Sequence, residues 1–404
     1  MAGGDDTEIA ELLTATAQES PVESIDMVTR DLAWRCGASA ASFLIVDLTG
    51  KALVRVSAVG PAGQNGEAEQ NREAERVELH GSVYDQVVRA QRPLHETLPD
   101  TGMLRLILPV TNRGDPIGLL ELTLPPDPGE QVLASLRETA RVLAYIVIAD
   151  QRFTDLYTWG KRTARLTLPA EIQHQLLPPS MSCEVAEFAL SGALEPSGEI
   201  SGDTFDYALD RDCLHLSVTD PMGHDIDAAL LATVLVGALR GARRAGASLE
   251  EQARQAHRSL CVYGRGHATG QLLRIGLREG TADFVNAGHP LPLRLRGGTV
   301  EEIGCEADPP FGFPFPHDYR VQRLDLRSGD RLVLLTDGML ERGAESVDMP
   351  AMVEHTRTLH PREAVRVLTN AVEEASGGRL QDDATVICLD WYGPRAGRPP
   401  YTAA

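Results

Sequence analysis

The stretch Gly198-Glu199-Ile200-Ser201-Gly202-Asp203 is followed by a predicted strand, Leu214 to Thr219, and then by Asp220-Pro221-Met222-Gly223-His224-Asp225. Asp203 and Asp220 lie where a strand meets a turn, and the small residues beside them let the backbone approach a bound group. Carboxylates and turn carbonyls are hard oxygen ligands, suited to Mg²⁺ or Mn²⁺ and poorly suited to Zn²⁺. The stretch therefore predicts a site for divalent cations.

Two further acidic turns follow later in the chain. Asp337 ends a predicted strand in Leu335-Thr336-Asp337-Gly338, and Asp382-Asp383 precedes the final strand. Taken alone, each is more typical of an ordinary turn or a capped loop. If four such strand ends share one rim of a folded domain, their like charges repel unless cations neutralise them. We therefore expect Asp203, Asp220, Asp337 and the Asp382-Asp383 pair to converge.

The segments around these turns alternate between groups of strands and helices. Hydrophobic periodicity predicts helices at 226–243, 249–261, 349–358 and 361–375, and strands at 188–194, 204–209, 214–219, 269–275, 282–286, 292–296, 319–326, 331–335 and 384–389. Strand hairpins separated by helices do not follow the strict βαβ alternation of a parallel sheet. The pattern predicts an α+β fold, an α-β-β-α sandwich.

The N-terminal part predicts a different domain. Ser20-Pro21-Val22-Glu23 is typical of a helix start, and this helix is expected to reach Cys36 and bury Val22. The strands and the short helix that follow are predicted at 42–46, 53–59, 76–79, 82–90 (helix), 104–110 and 116–124. This order, with its closing hairpin from Ile107 to Leu122, resembles a GAF domain, a sensor fold with an antiparallel sheet. A PAS-type sensor and a plain α+β domain remain alternatives.

Helical segments connect the two parts. From Glu130 an apolar face recurs at helical spacing, which favours either pairing with a second copy in a dimer or packing on its own domain. A second helix is predicted from Thr163 to Pro178, with Thr167 as its cap. The predicted division is a lead-in (1–19), a GAF-like domain (20–150), a helical linker (151–180), the sandwich (181–391) and a tail (392–404).

Composition argues against several classes of protein. Acids outnumber bases 58 to 38 in 404 residues, for a net charge of −20, which disfavours a nucleic-acid partner. No stretch approaches the ~20 apolar residues of a spanning helix, and the acidic N-terminus is unlike a signal peptide. Six scattered cysteines favour reduced thiols over disulfides or a zinc site. A cytoplasmic location without membrane attachment is expected.

The C-terminal motifs together resemble the bacterial stage II sporulation E branch of the metal-dependent (PPM) serine/threonine phosphatases. The resemblance covers about residues 165 to 391. The matching segments are Gln175-Leu176-Leu177-Pro178-Pro179, Gly198 to Asp203, Asp220 with Gly223-His224, Asn286-Ala287-Gly288-His289-Pro290, Leu335-Thr336-Asp337-Gly338 with Glu341, and Asp382-Asp383-Ala384-Thr385.

This resemblance implies a role for each acid. Asp220 is expected to bridge two Mn²⁺ or Mg²⁺ ions, which Asp337 and Asp382 complete on one side and Asp203 with the Pro221 carbonyl on the other. Two such ions can activate a water for in-line attack on a phosphate. His224 and His289 are candidate general acids, although each follows a glycine in a tight turn and structural hydrogen bonding is favoured for both. Glu341 is expected to support the site or cap a helix.

The resemblance also implies phosphoserine or phosphothreonine substrates on a partner-switching protein, typically an anti-anti-sigma factor with a STAS domain. We expect the sensor domain and the helix at 163–178 to control the phosphatase by shifting the helix at 226–243. This sequence departs from the family with Asp225 where a glycine is usual, which keeps a phosphoprotein-binding pseudophosphatase open as an alternative. A small-molecule phosphoesterase and a sensory scaffold are two further hypotheses.

Overall fold

The computed structural model describes residues 5–47, 50–60, 75–161, 167–197, 202–340, 344–378 and 380–394. The chain divides into two compact units, residues 1–165 and 166–402. Within the described ranges, no helix combines the length and the apolar character needed to cross a bilayer.

The described part of the first unit contains one antiparallel sheet. Its strands are β1 (Ala40–Val46), β2 (Ala52–Val59), β3 (Arg76–Glu78), β4 (Leu94–Thr97), β5 (Leu104–Asn112) and β6 (Asp115–Leu124). Their order is β3-β2-β1-β6-β5-β4. The short strand β4 was not predicted, since its side chains are half-buried or exposed and give no hydrophobic signal.

Helices cover both faces of this sheet. They are α1 (Asp5–Gln18), α2 (Ser24–Cys36), α3 (Val83–Ala90), α4 (Glu130–Asp150) and α5 (Leu156–Gly160). Successive residues of β1 point to opposite faces, so Phe43 packs with α1, α2, α4 and α5 while Leu44 packs with α3. The helix α4 thus buries its apolar face within its own unit, the second of the two arrangements that the sequence allowed.

Two expectations for this unit need correction. The helix predicted to begin at Ser20-Pro21 begins at Ser24, and Val22, expected in the core, is 49% exposed. The backbone N–H of Glu23 donates to the Ser20 carbonyl, so the capping signal at Ser20 closes a turn before the helix. The lead-in also contributes to the core, because Leu12 of α1 is buried against α2 and α4.

The described part of the second unit contains two antiparallel sheets. The first has the order β15-β12-β11-β10-β9 and comprises β9 (Thr204–Leu209), β10 (Cys213–Pro221), β11 (Ala268–Gly276), β12 (Ala282–Ala287) and β15 (Gln322–Leu324). The second has the order β14-β13-β16-β17-β8-β7 and comprises β7 (Ser182–Glu184), β8 (Phe188–Glu195), β13 (Leu293–Arg296), β14 (Thr299–Glu302), β16 (Asp330–Leu335) and β17 (Ala384–Trp391).

These sheets pack face to face between two helical layers. The helices are α6 (Leu168–Leu176), α7 (Asp225–Arg244), α8 (Leu249–Tyr263), α9 (Met349–His355) and α10 (Pro361–Ala375). In β16, Leu334 faces the other sheet, whereas Leu335 packs with α9 and α10. In β11, Leu273 faces inward and Leu272 packs with α7 and α8. This alternation produces the predicted α-β-β-α sandwich.

Most predicted elements of this unit are present, with one clear exception. The strand predicted at 319–326 is reduced to β15, residues Gln322–Leu324. Tyr319 is instead buried in the layer of α7 and α8, with its hydroxyl 3.0 Å from His257 Nδ1. Residues 319–321, whose composition predicts a strand, therefore form part of a loop that Tyr319 anchors. Of the predicted helix at 163–178, residues 163–166 lie outside the described residues.

Candidate metal centre

Asp203 and Asp220 lie side by side at one rim of the first sheet. Asp203 directly precedes β9, and Asp220 is near the end of the neighbouring strand β10. The antiparallel register pairs Thr204 with Thr219, whose hydroxyl oxygens are 2.6 Å apart. Because paired residues in antiparallel strands stand opposite each other, Asp203 and Asp220 share this rim.

The second sheet brings Asp337 and Asp382 to its own rim in the same way. The last pairs of β16 and β17 extend to Thr336, whose backbone N–H donates to the Thr385 carbonyl at 3.0 Å, while the Thr385 N–H donates to Thr336 Oγ1 at 3.0 Å. Asp337 follows Thr336 and begins a short 3₁₀ helix, and Asp382 stands two residues before β17. Antiparallel pairing of β16 with β17 thus holds the Asp337 turn beside the Asp382-Asp383 turn.

Direct hydrogen bonds join the two rims. The Thr385 hydroxyl of β17 donates to Asp203 Oδ2 at 2.7 Å, which connects the second sheet to the first. Asp203 is only 2% exposed and Asp383 only 1%, whereas Asp220, Asp337 and Asp382 are half-buried. The structure therefore brings all four predicted acids to a single edge of the sandwich.

The carboxylates act on one another electrostatically. Burial raises the pKa of Asp203 well above its usual range, and the charges of Asp220 and Asp383 raise it further. Burial, followed by the charges of Asp337, Asp382 and Asp383, raises the pKa of Asp220 to about 8. The charged groups that act most strongly on both are other carboxylates. Such a cluster favours either bound protons or a bound cation.

The chemistry of these donors fits divalent cations that keep part of their water shell. Among the residues that the structure describes, no three His, Cys, Asp or Glu side chains surround a common point at which an ion would be held. Closed cages of that kind are typical of structural zinc. Mg²⁺ instead usually keeps several waters and binds through one or two carboxylates, together with substrate phosphates. Pairs of carboxylates at an open rim match this second pattern.

Pro221 ends β10, where its backbone pairs with Ala268 of β11. Its side chain is buried, and the backbone carbonyl predicted as a ligand follows Asp220 immediately. Next along the chain, Asp225 begins α7 with a backbone φ of +63°. Only glycine adopts this region routinely, so the glycine usual at this position in the family has a backbone reason. The Asp225 side chain is exposed, and its Oδ2 is 3.0 Å from His224 Nδ1.

His289 belongs to a buried hydrogen-bond chain that ends on Asp220. Its Nδ1 is 2.8 Å from Thr269 Oγ1, and the Thr269 hydroxyl bonds the Asp220 carboxylate and lowers its pKa. The Asn286 side chain accepts from the His289 N–H at 2.8 Å and donates to its carbonyl at 3.0 Å. Burial lowers the pKa of His289 to about 3, so the ring is neutral. These contacts favour a structural role for His289 over proton transfer.

Asp383 organises the turn beside Asp382. Its Oδ1 accepts from the Ser197 N–H at 2.9 Å, and its Oδ2 accepts from Gln173 Nε2 at 2.6 Å and from the Gly202 N–H at 3.4 Å. A Cβ atom at Gly338 would lie 2.1 Å from the Asp383 carbonyl oxygen, so the two acidic turns of the second sheet pack backbone to backbone. Only glycine fits at this contact.

Sequence reasoning missed the contribution of Gln173. This residue of α6 is 2% exposed, which is unusual for a glutamine, and it contacts both Asp203 and Asp383. The available signal was a polar residue on the apolar side of a helix, next to Ile172. Two segments of the predicted motifs, Gly198 to Ser201 and Glu341, lie outside the described residues.

Comparison with known proteins finds similarity in the second unit. Residues 210–392 match the family model "Stage II sporulation protein E (SpoIIE)". The resemblance predicted from the sequence motifs is therefore confirmed over these residues, which include Asp220, Asp337 and Asp382.

Curated relatives share moderate identity. The chain is 24% identical over 201 residues to "Phosphoserine phosphatase RsbP" of Bacillus subtilis (strain 168), a match that covers 48% of this chain and 50% of that protein. It is 20% identical over 235 residues to "Phosphoserine phosphatase RsbU" of the same organism, which covers 56% of this chain and 70% of the relative. The chain thus spans half the length of RsbP.

Solved structures match about half of the chain at low identity. The RsbU and RsbW domains of Rv1364c from Mycobacterium tuberculosis match with a TM-score of 0.47 and 23% identity, covering 53% of this chain and 63% of that one. The PP2C phosphatase domain of SpoIIE from Bacillus subtilis, with a fragment of its regulatory domain, matches with a TM-score of 0.45 and 21% identity, covering 52% and 65%.

Proposed function

We propose that the domain of the stage II sporulation E type in the second unit is a metal-dependent phosphoprotein phosphatase that hydrolyses phosphoserine and phosphothreonine. The observation that carries this proposal is the convergence of Asp203, Asp220, Asp337 and Asp382 at one rim shared by two sheets. The family match over residues 210–392 and the two relatives named phosphoserine phosphatases support it.

The proposed roles follow the position of each acid. Asp220, on which the charges of Asp337, Asp382 and Asp383 all act, is the carboxylate between two Mn²⁺ or Mg²⁺ ions. Asp337 and Asp382 would join Asp220 around one ion by turning towards it as it binds, since no three of the described acids surround a common point without it, and Asp203 with the Pro221 carbonyl would hold the other. When bound, two such ions supply an activated water and hold the phosphate in line for attack.

The side chains around the acids support hydrolysis by water without a covalent intermediate. The threonine hydroxyls described at the rim are already hydrogen-bonded: the buried Thr204 to Thr219, Thr336 to the backbone of Thr385, and Thr385 to Asp203, and the half-buried Thr269 to Asp220. A nucleophile has to reach the phosphate with a free lone pair, and these oxygens are held facing the protein. Their role is to orient the acids.

Phosphate release from a phosphoserine peptide in the presence of Mn²⁺ tests this proposal. We expect turnover that a chelator abolishes, and a loss on the order of 100-fold or more in Asp220→Ala, as for an essential catalytic group. The exposed Asp227, in the first turn of the helix α7 that follows Asp220 in the chain, offers the matched control Asp227→Asn, which should retain activity. Turnover that resists both the chelator and the Asp220 substitution would refute the proposal.

For the substrate, we propose a phosphoserine protein of a partner-switching pathway, such as an anti-anti-sigma factor with a STAS domain. This is what the family resemblance implies, and a competition assay between such a phosphoprotein and a generic aryl phosphate tests it. A clear preference for a small metabolite would instead favour a small-molecule phosphoesterase.

We further propose that the first unit is a GAF-like sensor that regulates the phosphatase activity of the second unit. The protein is proposed to be cytoplasmic, with a homodimer as one candidate assembly. The six-stranded antiparallel sheet with helices on both faces supports the sensor assignment. Deletion of residues 1–160 tests the regulation: unchanged turnover together with unchanged metal affinity would rule it out. Sedimentation of the full chain tests the dimer.

The alternative function is a pseudophosphatase that binds a phosphoprotein without cleaving it. The exposed carboxylate of Asp225, on a backbone conformation that favours glycine, is the observation that supports this alternative, since its charge repels a phosphate. Stable binding of the phosphopeptide by the wild type, without phosphate release at saturating Mn²⁺, would establish it.

A further inference from the structure

Gln173 connects a helix to two of the acidic turns through a single amide group. The two hydrogens of its Nε2 are directed at the Asp203 carbonyl oxygen, 2.9 Å away, and at Asp383 Oδ2, 2.6 Å away. The first acceptor belongs to the rim of one sheet and the second to the rim of the other. Gln173 therefore spans the junction at which the four acids meet.

The acceptors of Gln173 are themselves part of the backbone that positions the acids. Asp383 also accepts hydrogen bonds from the Ser197 and Gly202 N–H groups, and Gly202 directly precedes Asp203. Gly202 has a φ of +115°, and a Cβ there would lie 3.1 Å from atoms of Ala228 in α7. Gly202 thus has little conformational freedom, and Gln173 binds the next residue, Asp203, at its carbonyl.

The helix that carries Gln173 is fixed independently of the acids. Thr167 Oγ1 caps α6 by accepting from the Ala170 N–H, and the Arg240 guanidinium of α7 donates to the Leu176 carbonyl at 2.6 Å. Arg240 also binds both carboxylate oxygens of Asp206, at 2.9 and 3.1 Å. Because its first turn is capped and its last turn is bonded to α7, α6 offers Gln173 an ordered support.

We infer that Gln173 is a positioning residue for the metal centre: its amide fixes the separation between the Asp203 turn and the Asp382-Asp383 turn, and thereby the affinity for divalent cations. The inference rests on the proposed metal site. A neutral amide suits both acceptors, since a carboxylate lacks hydrogens and an aliphatic side chain removes one donor from the buried Asp383 and the side-chain donor of the Asp203 carbonyl.

Substitutions of two glutamines on the same helix test this inference. Gln173→Leu removes both hydrogen bonds at similar volume, and Gln173→Glu keeps the shape but replaces the donor with a charge beside Asp383. Gln175 is exposed and bonds only to Glu171 among the contacts described for it, so Gln175→Leu is the matched control. Isothermal titration of the full chain with Mn²⁺, without substrate, measures affinity independently of turnover.

We expect Mn²⁺ affinity to fall by about 10- to 100-fold in Gln173→Leu, the usual effect of losing a residue that orients metal ligands. The fall should be greater in Gln173→Glu and absent in Gln175→Leu. Excess Mn²⁺ should restore most of the phosphate release in Gln173→Leu, since the acids themselves remain. Thermal unfolding in chelator identifies a variant that has not folded, and affinity is compared among folded variants only.

A double-mutant cycle with Asp383→Asn provides a second test, and either Gln173→Leu or Gln173→Glu can supply its other arm. If Gln173 acts through Asp383, the combined loss of Mn²⁺ affinity should be smaller than the product of the single losses. Wild-type affinity in folded Gln173→Leu, or fully independent losses in the cycle, would overturn the inference. Mn²⁺ binding without phosphate release in the wild type would refute the proposed function and leave this test intact.

Discussion

Replacing Asp220 by Asn should stabilise the second unit when divalent cations are removed. Asp220 lies among other carboxylates, and burial together with their charges raises its pKa from 3.8 to about 8. The folded state therefore binds more protons than the unfolded state between these two values. Stability falls as the pH rises through this interval and is unaffected by this group at lower pH. The amide carries no charge and avoids this penalty.

The size of the effect follows from the same interval. At pH 7 the solution pH lies about 3 units above the pKa of Asp220 in the unfolded chain. At 1.36 kcal/mol per unit, this gives an upper limit of about 4 kcal/mol for the gain in free energy of unfolding. Because the amide still has to be buried at the rim, we expect about 2–4 kcal/mol. For a domain of this size, that corresponds to a rise in melting temperature of roughly 5–15 °C.

Thermal unfolding in chelator, followed by circular dichroism from pH 4 to pH 8, measures this effect. The difference between Asp220→Asn and wild type should grow with pH and disappear near pH 4, and Asp227→Asn, at an exposed acid of α7, should show no such trend. Added Mn²⁺ should raise the melting temperature of the wild type and not that of Asp220→Asn, since ligands stabilise only the state that binds them. An unchanged or lower melting temperature for Asp220→Asn at pH 7 in chelator would show that the acids do not converge as described.

Three further substitutions probe the surroundings of the acids. Thr269→Val removes the hydroxyl that binds Asp220 and should weaken Mn²⁺ affinity by about tenfold, whereas Thr269→Ser should keep it; equal calorimetric titrations for both would contradict the role of the hydroxyl. Gly338→Ala places a methyl group 2.1 Å from the Asp383 carbonyl oxygen and should destabilise the second unit by about 1–3 kcal/mol, measured by urea unfolding. An unchanged free energy of unfolding would argue against the close backbone packing. Asp225→Gly removes a charge that repels phosphate, so it should lower the KM for a phosphopeptide. It also relieves the strain of the positive φ of +63° and should raise the free energy of unfolding by about 1 kcal/mol. A higher KM would indicate that Asp225 assists binding.

The convergence of the acids could be predicted because the position of each acid at the end of a strand depends on local sequence. Asp203 and Asp220 flank strands that are adjacent in the chain, so a short hairpin brings them together at one rim. Asp337 and Asp382 adjoin strongly hydrophobic strands that must pair in the core. The contact between the two rims, through Thr385 and Asp203, depends on how two sheets pack and has no signature in either segment alone.

The features that sequence reasoning missed depend on tertiary contacts. Gln173 is polar and was overlooked on the apolar side of its helix, since its partners are 30 and 210 residues away along the chain. The composition around Tyr319 predicts a strand, but Tyr319 is buried against the helices α7 and α8, where its hydroxyl contacts His257. The Ser20-Pro21 capping signal lies four residues before the helix that begins at Ser24, because a turn intervenes.

The most direct test of the central claim is the metal dependence of phosphate release from a phosphoserine peptide, compared between wild type and Asp337→Ala. Asp337 begins the short 3₁₀ helix that follows β16 of one sheet, and its charge acts on Asp220 of the other. If the four acids form one site, the wild type should require Mn²⁺ or Mg²⁺ and lose all turnover in chelator, and Asp337→Ala should be slower by on the order of 100-fold at equal metal concentration. Full activity of the folded Asp337→Ala variant, or wild-type turnover that persists in chelator, would contradict the account.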